Sequence, residues 1–299
     1  ITNRNGKIVI IYDLNTSFPC LFGVKNYFYI NFMSFLPILI LSITQGLLEF
    51  LPISSSGHLV VFGYFLNFRD HGLLFDVSMH LGSLCAVCLY FNREILDILK
   101  GLPGLINKEK NENELLSLNV ILSSIPIIFI GGTVFLIGLA DKLRNIEIIA
   151  LSTIVFALLL YYADKDQTDK GKSIKDLTSS EAILVGFAQV FSVIPGASRA
   201  GVVFTATRFL KINRVESAKY AMIISIPVIL ISSAIPIIQL VREPIVQNIF
   251  YAVIGFLISA VVAYFSIAIL LRFLQSYSML PFVIYRIIFG TLLLYISFN

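Results

Sequence analysis

Charge is what this 299-residue sequence has least of: Asp, Glu, Lys and Arg make up 13% of it, against about 25% in soluble globular chains. That shortage excludes a solvated domain surface, and a net charge of only +4, spread over loops, excludes a basic face for nucleic acid. Cysteine is scarce as well. Cys20, Cys85 and Cys88 cannot build a disulfide framework. The C-x-x-C of Cys85 and Cys88 lies in the apolar run LGSLCAVCLYF with no second pair to complete a metal site, so both read as packing residues. Nor do the first residues show the basic start, apolar core and small-residue cleavage site of a secretory signal. Residues 1–32 read as an N-terminal extension with little structure or lying outside the native start, ahead of the clean apolar run that Met33 opens.

What is present is apolar. Hydrophobic residues reach 57% and the mean hydropathy is +0.88, which indicates a polytopic membrane protein. The length leaves room for roughly eight to ten apolar segments of about 17–25 residues, hence one helical bundle. Such segments lie near 34–51, 54–66, 76–91, 115–139, 146–163, 181–194, 199–210, 217–240, 248–271 and 280–298. Five or six are long enough to cross a bilayer alone. The pieces flanking LPISSSGH (51–58) and IPGASRAG (194–201) are not, and each pair reads as a broken, re-entrant unit. Loops 92–114 and 163–181 carry four Lys or Arg each, and both flank the hairpin whose turn is 140–145. The positive-inside rule puts these loops in the cytoplasm and the turn outside.

The sequence also repeats. A shift of 144 places Gln45 on Gln189, Ser54 on Ser198, Ser55 on Arg199 and Gly57 on Gly201. Matching interrupted segments in two halves mark the binding site of inverted-repeat membrane proteins. The expected organisation is a single transmembrane catalytic domain over 33–299, with repeat halves near 33–139 and 146–299.

The two interruptions hold chemistry that an apolar segment does not need. Gln45 and Glu49, four residues apart, share a helix face. An ionised Glu at mid-bilayer costs at least about 2.5–3.5 kcal/mol, so Glu49 is expected to be paired or to line a wet cavity, as a metal ligand or an acid/base. Pro52 and Gly57 should stop the helix between them, and the freed backbone groups call for a polar cavity. Ser54, Ser55 and Ser56 supply hydroxyls that serve equally as helix caps or as nucleophile. His58, three residues after Ser55, is placed to act as its base. Arg199 requires an anion, either phosphate or Glu49 itself. Together these are parts for phosphoryl transfer.

In QGLLEFLPISSSGH (45–58), FDVSMHLGSLCAV (75–87), PGASRAG (195–201) and LPFVIYRIIFG (280–290) the sequence resembles the undecaprenyl-diphosphate phosphatase, or bacitracin resistance protein, family. The resemblance covers Met33 to the C-terminus. It implies an all-α polytopic membrane bundle of inverted-topology repeats with two re-entrant helix pairs, in a bacterial inner membrane, its site opening to the periplasm. It implies hydrolysis of undecaprenyl diphosphate to the monophosphate, which returns the lipid carrier to peptidoglycan synthesis. The implied site comprises Glu49, Ser55, His58 and Arg199 as catalytic groups, with Gln45, Ser54, Ser56, Gly57, Gly196 and Ser198 binding substrate. Glu49 would hold a divalent cation, Mg²⁺ or Ca²⁺. The expected partners are the prenyl diphosphate and the bilayer, with a homodimer as an open option. The sequence departs from the family in Gln45, where an acid can stand, in Ala200 and Val203, which lack hydroxyls, and in His80, where glutamine is usual. Asp76 reads as an extra cavity or interfacial group, and Arg286 as a paired or snorkelling residue outside the site. A secondary transporter or flippase of a prenyl-phosphate lipid or another anion is the rival reading, since such carriers share the repeats and broken helices.

Overall fold

The computed structural model describes residues 21–66, 73–106, 110–165, 171–242 and 249–298, and within them the chain is helical with no β-sheet. The first half contains α1 (Leu21–Leu48), α2 (Ser55–Leu66), α3 (Leu73–Tyr90), α4 (Asn92–Gly101), α5 (Glu112–Pro126), α6 (Gly132–Leu136), α7 (Leu139–Lys142) and α8 (Ile146–Asp164). The second contains α9 (Ser179–Val190), α10 (Arg199–Phe209), α11 (Arg214–Ile223), α12 (Ser225–Arg242), α13 (Ile249–Leu274) and α14 (Leu280–Phe298). α1 begins before the expected Met33 because LFGVKNYFYINF has no proline to stop it; residues 1–20 lie outside the described residues.

Among the described residues, six helical stretches are long and apolar enough to cross a bilayer: Leu73–Tyr90, Glu112–Leu136, Ile146–Asp164, Arg214–Ile238, Ile249–Leu274 and Leu280–Phe298. Of the pieces beside the two interruptions, α2, α9 and α10 are short, as expected, whereas α1 runs to 28 residues. The Glu112–Leu136 stretch is not uniform. Pro126 lacks an N–H and crowds the carbonyl four residues back, and a π-helical turn, Ile127–Gly131, follows it.

Element order clarifies the repeat. Two helices about a break, a spanning stretch, another spanning stretch and a final helix occur twice: α1, α2, α3, α5–α6, α8, then α9, α10, α11–α12, α13, α14. In this order α8 takes the place that α14 takes in the second half. The helices interlock closely, as small side chains permit in a membrane bundle. At Gly82 of α3 a β-carbon would sit inside the Phe256 carbonyl of α13. Where α8 ends, buried Asp164 accepts from Arg208 Nε at 3.0 Å, Arg214 Nε at 2.8 Å and the Met279 N–H at 2.9 Å. One carboxylate thus ties α8 to α10, α11 and the start of α14.

Candidate active site

Both polar interruptions fold into tight turns that aim a new helix N-terminus into the protein. Pro52 bars the helical conformation behind it, so α1 ends at Leu48, short of the stop expected between Pro52 and Gly57. The residue that turns the chain is Ser54, with φ of 71°, while Gly57 already lies in the first turn of α2. Ser198 does the same before α10, with φ of 67°. Each serine then caps its helix: Ser54 Oγ accepts from the Gly57 N–H at 3.3 Å and Ser198 Oγ from the Gly201 N–H at 3.2 Å. Positions 54 and 198, 55 and 199, and 57 and 201 are the pairs related by the shift of 144.

The carbonyls freed at the two turns are satisfied by Arg286 of α14, which is fully buried. Its Nη1 donates to Pro52 O at 3.0 Å; its Nη2 donates to Gly196 O at 2.9 Å and Ala197 O at 3.0 Å; its Nε donates to Thr153 O at 3.3 Å. Arg286 is fully buried and, among the described residues, pairs with no acid, contrary to the expectation that it pairs or snorkels. A backbone break at membrane depth needs donors, and a guanidinium carries five on one plane. It clamps the two turns together, helped by Ser198 Oγ, which donates to Leu51 O at 3.3 Å.

Over this clamp, Glu49 gathers the ionisable groups. Arg199 Nη2 donates to its Oε1 in a direct ion pair. Its Oε2 accepts from Ser55 Oγ and from Gln45 Nε2, both at 2.8 Å. His80 of α3 approaches from the side, Nδ1 lying 3.7 Å from Oε2. Glu49, Ser54, Ser55, Ser56, Ser198, Arg199 and His80 line one cavity of about 380 Å³. Its remaining wall is mostly apolar and includes Ile127, Gly131, Phe135, Val193, Val228 and Ile231.

His58 is not brought to Ser55. Its Nδ1 donates to Ser54 O at 2.7 Å, its Nε2 accepts from Tyr285 Oη at 2.7 Å, and its ring stacks on Phe289 with centroids 4.3 Å apart. The group on the Ser55 hydroxyl is Glu49. Spacing along a helix suggested the histidine, but the imidazole lies on the α14 side of α2 while the hydroxyl points to the end of α1. Gln45, Gly57 and Gly196 also stay out of the cavity wall. Gln45 is buried beneath Glu49, and Gly196, with φ of 93°, packs its turn against α8. Ala200 and Val203 are buried, Val203 inside a core cluster, so neither faces the cavity.

Among the described residues no cluster of three or more His, Cys, Asp or Glu is placed to hold a metal ion. The cavity offers one carboxylate, already carrying Arg199, Ser55 and Gln45, and serine hydroxyls. A hard cation takes oxygen ligands, and Mg²⁺ commonly uses one or two carboxylates together with substrate phosphates. The donor set suits an ion that arrives with a phosphorylated ligand, with Glu49 as the protein's contribution.

Comparison with known proteins fits this geometry. The family described as bacitracin resistance protein BacA matches residues 38–292. The chain belongs to that family. Among its relatives is the undecaprenyl-diphosphatase of Pelagibacter ubique (strain HTCC1062), 38% identical over 269 residues, which are 90% of this chain and 100% of the relative. The undecaprenyl-diphosphatase of Saccharophagus degradans is 37% identical, covering 86% of this chain and 96% of that protein. The undecaprenyl-diphosphatase 2 of Stutzerimonas stutzeri (strain A1501) is 37% identical, covering 88% and 98%. Within this BacA-family member the residues that sequence reasoning missed are Arg286 and Tyr285, both in a segment that reads as a plain terminal span, and the wall residues Ser192 and Ser232. A fixed cation in an apolar helix was the available signal for Arg286; nothing local marks Tyr285.

Proposed function

We propose that this protein removes the terminal phosphate of undecaprenyl diphosphate, a reading carried by one observation: Ser55 Oγ donates to Glu49 Oε2 at 2.8 Å while Arg199 holds Oε1, all within a single cavity. The carboxylate that accepts the hydroxyl hydrogen is placed to take the proton as Ser55 Oγ attacks the terminal phosphorus. The new Oγ–P bond forms as the bond from phosphorus to the bridging oxygen breaks, and undecaprenyl phosphate leaves with the electron pair. Glu49 gives its proton up to the departing phosphate; it then takes a proton from water, whose oxygen bonds to phosphorus as the P–Oγ bond breaks, and returns that proton to Ser55 Oγ, releasing phosphate. Arg199 and the N-termini of α2 and α10 stabilise the charge on the phosphoryl oxygens. Glu49 would hold a divalent cation arriving with the diphosphate, and such an ion would supply further charge neutralisation. His58 holds the turn in place through Ser54 O and Tyr285 rather than acting on Ser55.

The apolar part of the cavity wall suits the lipid end of the substrate. We place the protein in the inner membrane with the two broken pairs as re-entrant units. The cavity opening faces the periplasm, because Ala140 lines it next to the turn that the charge pattern puts outside. Returning the lipid carrier to peptidoglycan synthesis follows from that placement. The transport reading is not favoured, since a carrier has no use for a hydroxyl held on a carboxylate.

Phosphate release from undecaprenyl diphosphate in detergent tests the proposal. Ser55→Ala should reduce release to background, and chelation with EDTA should lower the wild-type rate at least ~10-fold, restored by Mg²⁺ or Ca²⁺. Turnover retained by Ser55→Ala would remove the covalent step.

A further inference from the structure

α3 brings into the cavity a side chain that the hydrolytic scheme does not use. The His80 side chain is 37% exposed and lines the same cavity as Glu49, Ser55 and Arg199. On its inner edge Nδ1 lies 2.9 Å from Gln45 Nε2, and that amide nitrogen also lies 2.8 Å from Glu49 Oε2. The amide has two N–H groups, and these are two acceptors for them: a carboxylate oxygen and a ring nitrogen. Turning the amide over would press Gln45 Oε1 against the Glu49 carboxylate, acceptor on acceptor, so the orientation is fixed by chemistry. Among the described residues the buried Gln45 Oε1 has no partner, which is the cost of that choice.

A ring nitrogen that accepts carries no hydrogen. The ring hydrogen of His80 therefore sits on Nε2, at the opposite edge of the imidazole, where among the described residues it has no acceptor. Arg199, meanwhile, commits part of its fork to Glu49. The cavity thus has an unused, pre-oriented N–H donor beside the groups that meet the anion. We propose that His80 binds the substrate: Nε2–H donates to a phosphate oxygen of the prenyl diphosphate, and Gln45 holds the ring in the tautomer that makes the donation. The substrate's identity in this inference rests on the hydrolase reading. Gln45 thereby acquires a role in place of the charge it lacks, as the residue that orients both Glu49 and His80 from beneath the cavity.

The test uses the full chain in detergent and a prenyl methylenediphosphonate, which binds as a diphosphate does but has no cleavable bridging oxygen. His80→Gln places an amide N–H at the distance of Nε2 and should bind the analogue within about 3-fold of wild type, whereas His80→Asn and His80→Phe should bind about 10- to 100-fold more weakly. Wild-type binding by His80→Phe, or equal binding by the Asn and Gln variants, would overturn the proposal. The Asn and Gln pair keeps the test decisive if the Phe variant fails to fold. The tautomer is read separately by nitrogen-15 NMR of histidine-labelled protein, which has only three histidines. An Nε2–H form at His80 is expected, and an Nδ1–H form would overturn the argument. A wild type that binds the analogue yet releases no phosphate from the true substrate would sink the hydrolase reading and leave the His80 inference standing. Turnover with His80 variants that bind normally would do the reverse, and a wild type that binds no analogue overturns the His80 inference alone, the hydrolase reading being decided by phosphate release.

Discussion

At the scale of single residues, the site is organised by one carboxylate. Glu49 costs several kcal/mol to place at membrane depth unless its partners are ideal, and its partners here are a guanidinium, a hydroxyl and an amide. The same contacts that make the ion tolerable are those phosphoryl transfer needs, so pairing and catalysis are not rival explanations of Glu49. His58 shows the opposite relation between sequence and role. Its nitrogens are both taken, by Ser54 O and Tyr285 Oη, and it stacks on Phe289. Tyr285→Phe should therefore lower stability by about 1 kcal/mol and leave phosphate release within a few-fold of wild type. A loss of turnover beyond about 100-fold in that variant, measured on folded protein, would return His58 to the chemistry.

At the scale of elements, the two broken helix pairs are held by a shared clamp. Arg286 donates to carbonyls on both turns and on α8, so its loss orphans several buried acceptors at once. Arg286→Met should destabilise the fold by at least ~3 kcal/mol, seen as a lowered melting temperature in detergent, because each unsatisfied buried acceptor costs about 1–3 kcal/mol. A melting temperature equal to wild type would mean that water replaces the guanidinium without loss. The second turn also depends on Gly196. Its φ of 93° is unsuited to other residues, and a β-carbon there would lie 2.5 Å from Ile149 O of α8. Gly196→Ala should cost about 1–3 kcal/mol in the same melting assay. The turn serines need no such exemption: a short hydroxyl side chain that caps the next helix offsets the left-handed backbone at Ser54 and Ser198.

At the scale of the whole molecule, six stretches among the described residues long enough to span, together with two broken pairs, give a multi-pass membrane protein, and the proposed orientation rests on the charge pattern. In a background lacking Cys20, Cys85 and Cys88, a single cysteine at the exposed Asn145 should react with a membrane-impermeant maleimide on intact cells. One at the exposed Lys175 should react only after permeabilisation. The reverse labelling pattern would invert the topology. Much of this was legible in the sequence because hydropathy is a sum of local terms: the spans, the interruptions at LPISSSGH and IPGASRAG, and the residue types of the site need no partner to be recognised. The pairing of Ser54 with Ser198 was legible too, as a repeat. Tertiary structure alone decided which groups meet. That Ser55 faces Glu49 and not His58, that Arg286 serves backbone carbonyls instead of an acid, and that His80 shares Gln45 with Glu49 all depend on α1, α3, α10 and α14 converging. Hydrogen bonds are directional and act over about 3 Å, so their partners are set by how distant helices pack, whereas membrane insertion is set by composition along each helix.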